Sequence, residues 1–257
     1  MAVLLTADAP KGATGTSGYS LLIADDAAQV AAAQRLRHAV FAGELGADLP
    51  SAVDGRDVDE FDEHCDHLIV REEPTGAVVG TYRMLPPKNA MAAGRRYADT
   101  EFDMSALSPL RDHLVETGRS CVHPDHRSGA VINLMWAGIA RYLHLKNLRW
   151  LGGCASVPLD AAAGVWQLAR AKHLSPPALR VRPRHPWLAE PGAAEAVDAH
   201  TGRPAVPPLL RGYLRLGAWI CGEPAYDPAF GVADLYVLLS MDRVDPRYRR
   251  HFLGASR

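Results

Sequence analysis

The sequence is poor in the features that mark specialised classes of protein. It contains only four cysteines in 257 residues, Cys65, Cys121, Cys154 and Cys221, and they lie too far apart along the chain for a zinc knuckle or a redox pair. We therefore expect reduced, mostly buried cysteines and no bound metal. No uninterrupted apolar run approaches the roughly 18 residues that a membrane-spanning helix requires.

The chain also lacks an excess of charge of either sign. Its 28 Lys and Arg residues are balanced by 29 Asp and Glu residues, so no overall basic character favours nucleic acid as a partner. The apolar stretch 2–5 has no basic region before it and does not resemble a secretory signal. These observations predict a cytoplasmic protein.

A basic stretch near the C-terminus has two interpretations. It can form a solvated terminal helix, which we favour, or it can contact an acidic carrier protein or the inner face of the membrane as a peripheral protein does. Its residues are Arg243, Arg247, Tyr248, Arg249, Arg250 and Phe252.

Strands and helices alternate along most of the chain and predict a mixed α/β fold. Residues 1–17, rich in Ala, Gly, Thr and Ser, predict a flexible tail, and residues 18–257 predict a single domain with a proline-rich loop at about 175–208 and a C-terminal extension. Apolar periodicity predicts strands at 19–24, 68–70, 77–85, 113–122, 150–157 and 235–239. It predicts helices at 27–45, 130–146, 161–172 and 207–216. This alternation implies parallel strands joined by crossovers within a mixed sheet.

The turn between the strand at 113–122 and the helix at 130–146 has the character of a phosphate site. A strand that leads directly into a helix exposes main-chain N–H groups at the helix N-terminus, and these attract phosphate. Arg127 adds a positive charge, and Gly129 allows a ligand to approach the main chain closely. The alternative is that Gly129 only permits a tight turn.

Several charged residues lie in or beside apolar stretches, where charges are rare unless they are paired or functional. Glu116 and Arg119 lie three positions apart in one strand, so a bulge at Gly118 is needed to bring them to the same face. The alternative role for these residues is a buried arginine–carboxylate network that only stabilises the fold. The candidate residues are Arg37, Asp57, Asp59, Asp62, Arg83, Glu116, Arg119 and Arg127.

The segment 122–130, Val-His-Pro-Asp-His-Arg-Ser-Gly-Ala, resembles the acyl-CoA-binding motif of the GCN5-related N-acyltransferase (GNAT) superfamily. The resemblance implies a central, mixed and largely antiparallel twisted sheet with a parallel, splayed strand pair, flanked by helices. A second glycine is absent from the motif, which suits a phosphopantetheine thioester with a single phosphate on an acyl carrier protein. The donor-binding residues that it implies are Val122, Arg127, Ser128, Gly129 and Ala130.

Taken in order, the charged segments resemble the N-acyl-homoserine lactone synthases, a branch of the same fold, with Asp57 in the place of a glutamate. A closer resemblance covers about residues 19–252. Segments 116–124, 153–157 and 207–217 are similar to the L-ornithine Nα-acyltransferases and related N-acyl amino acid synthases, often labelled hemolysin-like.

This resemblance implies attack of an amino-acid amine on a fatty acyl thioester. Glu116, Arg119 and Asp59 become the candidate catalytic residues, with Glu116 either the base, acting directly or through water, or a group that only orients Arg119. A main-chain N–H in the strand 119–122 would stabilise the oxyanion. The implied substrate-binding residues are Arg37, Asp57, Asp62 and Arg83.

The expected function is therefore transfer of a fatty or 3-hydroxyacyl group from acyl carrier protein to the α-amine of an amino acid, with L-ornithine as the leading acceptor, in aminolipid (lyso-ornithine lipid) synthesis. The resemblance implies no permanently bound cofactor, because acyl carrier protein or acyl-CoA enters as the donor substrate. Two alternatives stay open: a small-molecule N-acetyltransferase that uses acetyl- or acyl-CoA, and a lipid-binding or membrane-active protein without turnover.

Overall fold

The fold is described from a computed structural model of the chain. It describes residues 3–8, 18–127, 129–189, 196–198, 202, 204–245 and 247–248. The four cysteines, all among the described residues, form no disulfide bond; Cys121 and Cys221 are buried, and Cys65 and Cys154 are half-buried.

The described residues form eleven strands, six α-helices and several short helical turns. The strands are β1 (Val3–Asp8), β2 (Gly18–Ile23), β3 (Asp66–Glu72), β4 (Val78–Leu85), β5 (Phe102–Asp103), β6 (Leu114–Val122), β7 (Trp150–Pro158), β8 (Arg182–Pro183), β9 (Trp219–Ile220), β10 (Ala225–Asp227) and β11 (Val232–Ser240). The α-helices are α1 (Ala27–His38), α2 (Pro87–Ala92), α3 (Ala98–Glu101), α4 (Gly129–Leu145), α5 (Leu159–Lys172) and α6 (Pro208–Arg215).

Inter-residue contacts divide the chain into two compact units. The first is built mainly from residues 1–93 and 117–148, and the second from 94–116 and 149–245. In the first unit, β1, β2, β3 and β4 form an antiparallel sheet, and the later part of β6 lies next to β4. Helix α1 packs on β3 and β4, and α4 packs on β1, β2 and β3.

Neighbouring residues of β2 place α1 and α4 on opposite faces of this sheet. Leu22 joins Ala33 of α1 and Ile69 in one buried cluster. Leu21 points the other way, towards Gly138 of α4, where an added Cβ would lie 2.5 Å from a Leu21 methyl group. The missing side chain at Gly138 therefore allows α4 to pack closely on the sheet.

The second unit contains the parallel strand pair. Leu114–Glu116 of β6 runs parallel to Trp150–Gly152 of β7, and β7 then pairs antiparallel with β11 along its whole length. Strands β9 and β10 also pair with β11, while β5 and β8 form a separate two-stranded sheet. Phe102, Leu114 and Tyr236 lie in the core of this unit.

The predicted fold class is confirmed: the protein has a mixed, largely antiparallel sheet with flanking helices and one parallel pair. The expected parallel strands joined by a crossover are β6 and β7, which α4 connects along the chain, and they are the single parallel strand pair among the described strands. Strand β11, which follows α5 and α6, pairs antiparallel with β7. The structure describes no helix with both the length and the apolar character needed to cross a bilayer.

Two local predictions need correction. Residues 3–8, part of the expected flexible tail, form β1 and pair with β2, because this segment supplies main-chain groups that extend the sheet; the rest of 1–17 lies outside the described residues. The helix expected at 27–45 ends as an α-helix at His38 and continues as a π-helical turn over Ala39–Glu44. The proline-rich loop at 175–208 is mostly irregular where it is described, apart from a short turn, Pro177–Leu179, and β8.

Candidate active site

Arg37 forms the centre of a buried ion-pair network in the first unit. Helix α1 begins at Ala27 because the Asp26 side chain accepts a hydrogen bond from the main-chain N–H of Gln29, and Arg37 lies in its last turn. Arg37 Nε lies 2.8 Å from Asp57 Oδ2, and Nη1 and Nη2 each lie 2.8 Å from an oxygen of Asp62. Arg37 and Asp57 are 0% exposed.

The acidic segment 57–62, which Arg37 contacts, is folded into a turn by hydrogen bonds between its own side chains and its main chain. Asp59 Oδ1 accepts a hydrogen bond from the Phe61 N–H at 2.9 Å, and Asp62 Oδ2 accepts one from the Asp59 N–H at 3.2 Å. Gln34 Nε2 adds a further hydrogen bond to Asp62 at 3.2 Å. Local Asp-to-backbone bonds therefore help to orient the carboxylates of this segment towards the arginines.

Two more arginines complete the network. Arg83, at the end of β4, lies 2.5 Å from Asp59 Oδ1 and 3.0 Å from Asp62 Oδ1 through its Nη1. Arg119 of β6 lies 3.2 Å from Asp57 and 3.3 Å from Asp59. The structure thus brings together six of the predicted charged residues as three arginines and three aspartates, whose formal charges cancel.

Arg119 adopts a left-handed backbone conformation, with φ of 51°. Arg119 directly follows Gly118, where the sequence predicted a bulge. A left-handed non-glycine residue costs about 1–2 kcal/mol, and the ion pairs with Asp57 and Asp59 compensate for this cost. The backbone geometry therefore aims the Arg119 side chain into the network.

The electrostatics of the network keep Asp62 and Arg83 charged. Burial acts to raise the pKa of Asp62, but its hydrogen bonds and ion pairs with Arg37 and Arg83 outweigh burial and hold that pKa well below its usual range. Burial likewise acts to lower the pKa of Arg83, and the charges of Asp59 and Asp62 raise it above its usual value. Both groups stay ionised throughout the physiological pH range.

Burial separates the network into two parts. Arg37, Asp57, Asp62 and Arg83 have between 0% and 7% of their surface exposed, which favours a role in stabilising the fold over direct contact with substrate. The side chains of Arg119 and Asp59 are more accessible, at 12% and 14%. The members that could most readily contact a ligand are therefore Arg119 and Asp59.

The donor loop joins β6 to α4 in the same unit. Helix α4 starts at Gly129, and a side chain at that position would meet no atom within 4 Å, so the approach to the first turn is open. Arg127 is held by Glu44 through two contacts of 2.7 and 2.6 Å and donates from Nε to the main-chain oxygen of Val122 at 3.2 Å. Ala130 lies in the first turn of α4, and Ser128 lies outside the described residues.

Glu116 lies in the second unit, at the end of the parallel pairing of β6. Its Oε1 accepts a hydrogen bond from the Tyr97 N–H at 2.7 Å, and both carboxylate oxygens contact the Ala98 N–H at 3.3–3.4 Å, where α3 begins. Burial raises the pKa of Glu116 to about 7, although the charge of Arg96 and these two N–H groups act to lower it. A carboxyl group with this pKa can accept a proton near neutral pH.

Comparisons with known proteins identify the family. Residues 36–137 match the family described as "Acetyltransferase (GNAT) domain". An L-ornithine N(alpha)-acyltransferase of Rhodobacter capsulatus is 37% identical over 246 residues, which are 91% of this chain and 94% of that protein. One of Brucella abortus is 34% identical over 244 residues, 90% of this chain and 87% of that protein. The chain belongs to the L-ornithine Nα-acyltransferase family.

Solved structures show the same fold in acyl-homoserine lactone synthases. LasI is 13% identical with a TM-score of 0.52, covering 93% of this chain and 96% of that one. The CoA-dependent synthase BjaI, solved with MTA, is 16% identical with a TM-score of 0.52, covering 87% of this chain and 80% of that one. These likenesses concern the fold, while the family relatives show that the protein is an acyltransferase.

The structure of this L-ornithine Nα-acyltransferase family member contains one acidic cluster that the sequence analysis did not predict. Glu101 of α3, Cys154 of β7 and Asp234 of β11 place one potential ligand atom each within 4.8 Å of one another. A lone aspartate within the apolar strand β11 was a sign that sequence inspection could have used. Because this geometry is compatible with a metal ion, the absence of a metal stays a prediction.

Proposed function

We propose that this member of the L-ornithine Nα-acyltransferase family transfers a fatty, 3-hydroxyacyl group from an acyl carrier protein to the α-amine of L-ornithine, and so makes a precursor of ornithine lipid. The observation that carries the proposal is the similarity, at 32–37% identity over about 90% of the chain, to four proteins named L-ornithine N(alpha)-acyltransferase. Within the first unit the donor loop and Arg119 support the proposal, and within the second unit Glu116 supports it.

The donor loop suits a single phosphate. The open N-terminus of α4 offers main-chain N–H groups to a phosphopantetheine phosphate, and Arg127 stands beside it. The exposed ion pair of Arg127 with Glu44 contributes little to stability, so the singly charged phosphodiester of a phosphopantetheine arm can replace the carboxylate. Val122, Arg127, Ser128, Gly129 and Ala130 are the residues that we assign to the donor.

The acceptor must lose a proton from its α-ammonium group before it can attack. In the proposed step the neutral amine nitrogen attacks the thioester carbonyl carbon and the C–N bond forms. As the C–S bond breaks, the nitrogen loses its second proton, which leaves with the sulfur as a thiol. Glu116, which is 5% exposed and has a pKa of about 7, accepts the first of these protons, that of the ammonium group, through a water molecule. A main-chain N–H of the strand 119–122 stabilises the oxyanion.

We assign the acceptor carboxylate to Arg119. Its guanidinium is one of the two more accessible members of the ion-pair network, and arginine binds carboxylates in a two-pronged geometry. Asp59 is the other accessible member and positions the Arg119 side chain through the 3.3 Å contact. The buried members of the network hold these two residues in place through their ion pairs; they are Arg37, Asp57, Asp62 and Arg83.

Mass spectrometry of reaction mixtures tests the proposal. The purified protein is incubated with an equimolar mixture of amino acids and with acyl carrier protein or coenzyme A thioesters of several chain lengths. We expect an N-acyl ornithine that forms with long-chain acyl carrier protein. The matched control is Arg141→Ala, an exposed arginine of α4, which should leave product formation unchanged.

Two other outcomes identify the alternatives. A product that forms with acetyl- or acyl-CoA in preference to acyl carrier protein would support a CoA-dependent acyltransferase. Binding of acyl chains without product from any donor would contradict the enzyme and support a lipid-binding protein.

A further inference from the structure

The second unit contains a small cavity lined by acidic side chains. Its volume is about 180 Å³, below the roughly 300–1,000 Å³ of pockets that hold drug-sized ligands, so it fits a short side chain and not a fatty acyl chain. Glu101 and Asp227 line it. The other lining side chains include Tyr97, Thr100, His185 and Tyr226.

Glu101 is buried beside other acidic groups. It is 9% exposed, and neither of its carboxylate oxygens has a hydrogen-bond partner of normal geometry among the described residues. Asp234 is 2% exposed, and ligand atoms of the two side chains lie within 4.8 Å of each other. Two buried carboxyl groups this close cannot both ionise unless a cation accompanies them, and this observation points to a cationic ligand that is bound during function.

The surrounding groups add to the negative potential of the cavity. Burial and the charges of Asp234 and Asp227 raise the pKa of Glu101 well above its usual range. The groups that face Glu101 from the neighbouring elements are Asp234 of β11, Asp227 of β10, Cys154 of β7 and Tyr97 before α3. A cation that enters can take over the role of the proton that Glu101 otherwise holds.

Tyr97 connects this cavity to the proposed base. Its main-chain N–H donates to Glu116 at 2.7 Å, while its hydroxyl donates to Asp227 at 3.4 Å. Asp227 is held in turn by the N–H groups of Ala229 and Phe230, at 2.8 and 3.2 Å. Tyr97 therefore contacts the candidate base through its main chain and the acidic cavity through its side chain.

We infer that this cavity binds the side-chain ammonium group of the acceptor and that Glu101 and Asp227 determine specificity for an amino acid with a terminal primary amine. The inference rests on the proposed function, since it places the far end of the acceptor while Glu116 serves its α-amine. A neutral amino acid of the same length cannot take over the role of the Glu101 proton or pair with the Asp227 carboxylate, so it binds more weakly.

The test compares L-ornithine with L-norleucine, a neutral amino acid with a side chain of the same number of heavy atoms. Glu101→Gln/Asp227→Asn removes both acidic groups and keeps their shapes. We expect KM for ornithine to rise about tenfold or more while KM for norleucine changes less than about twofold. The control Glu223→Gln/Asp242→Asn removes two exposed acidic groups of the same unit and should change neither value.

Turnover of norleucine by the double variant shows that this variant is folded. If the double variant does not fold, the single variant Asp227→Asn is tested in its place. An unchanged ratio of ornithine to norleucine kcat/KM, with active wild-type protein, overturns the cavity assignment and leaves the proposed function intact. If the wild type makes no product, calorimetric binding of ornithine decides: binding lost in the variant upholds the cavity, and equal binding overturns it. Retention of one equivalent of divalent metal that depends on Glu101 would also overturn it.

Discussion

Glu116→Gln offers a quantitative test of the buried carboxyl group. Burial raises the pKa of Glu116 from 4.5 to about 7. Between these values the folded protein holds the proton more tightly than the unfolded chain does, so the contribution of Glu116 to stability is full below pH 4.5 and is lost as the pH rises through 7. The difference in pKa corresponds to about 3 kcal/mol in the free energy of unfolding.

Glutamine has no such ionisation, so the variant lacks this pH dependence. Urea unfolding of both proteins between pH 4 and pH 8 should show the wild type losing about 3 kcal/mol relative to the variant. Contributions from other titrating groups cancel in the difference. The loss of the hydrogen bond from the Ala98 N–H shifts the whole difference curve by a constant amount.

The control for this experiment is Glu223→Gln, which changes an exposed carboxyl group in the same unit and should give a flat difference curve. A flat curve for Glu116→Gln would refute the burial argument. Activity gives a separate result: near-normal turnover of Glu116→Gln from pH 6 to pH 9 would remove Glu116 from the role of base.

Two further predictions concern the first unit. Asp62→Asn removes the carboxylate that pairs with Arg37 and should lower the free energy of unfolding by about 3–5 kcal/mol, measured by urea unfolding. The control Asp48→Asn, at an exposed position, should change that free energy little. Equal stabilities of the two variants would contradict a stabilising role of the network. Arg127→Ala should raise KM for the acyl donor severalfold in steady-state kinetics without a change in Tm, because its pair with Glu44 is exposed. An unchanged donor KM would exclude Arg127 from the donor site.

The elements that could be predicted from the sequence are those with strong local patterns. The strand predicted at 150–157 and the helix predicted at 130–146 lie within one residue of β7 and α4 at each end, because long apolar runs and the turn at Gly129 define them. The π-helical turn after His38 was missed, since no local pattern distinguishes it from a continuing α-helix.

The sequence predicted which residues belong to the charged network but not how they are arranged in space. Arg83 and Arg119 stood out because arginines rarely occur in apolar strands, and the structure pairs both with the acidic segment. Spacing alone could not show that Arg119 adopts a left-handed conformation. Glu101 and Asp227 come from separate parts of the chain, and tertiary structure alone brings them to one cavity.

Tandem mass spectrometry of the product from L-ornithine and a 3-hydroxyacyl carrier protein thioester tests the central claim most directly, because fragmentation shows which nitrogen carries the acyl group. The account predicts acylation of the α-nitrogen, with the side-chain amine free. Acylation of the side-chain nitrogen, or hydrolysis of the thioester without N-acyl product, would contradict it.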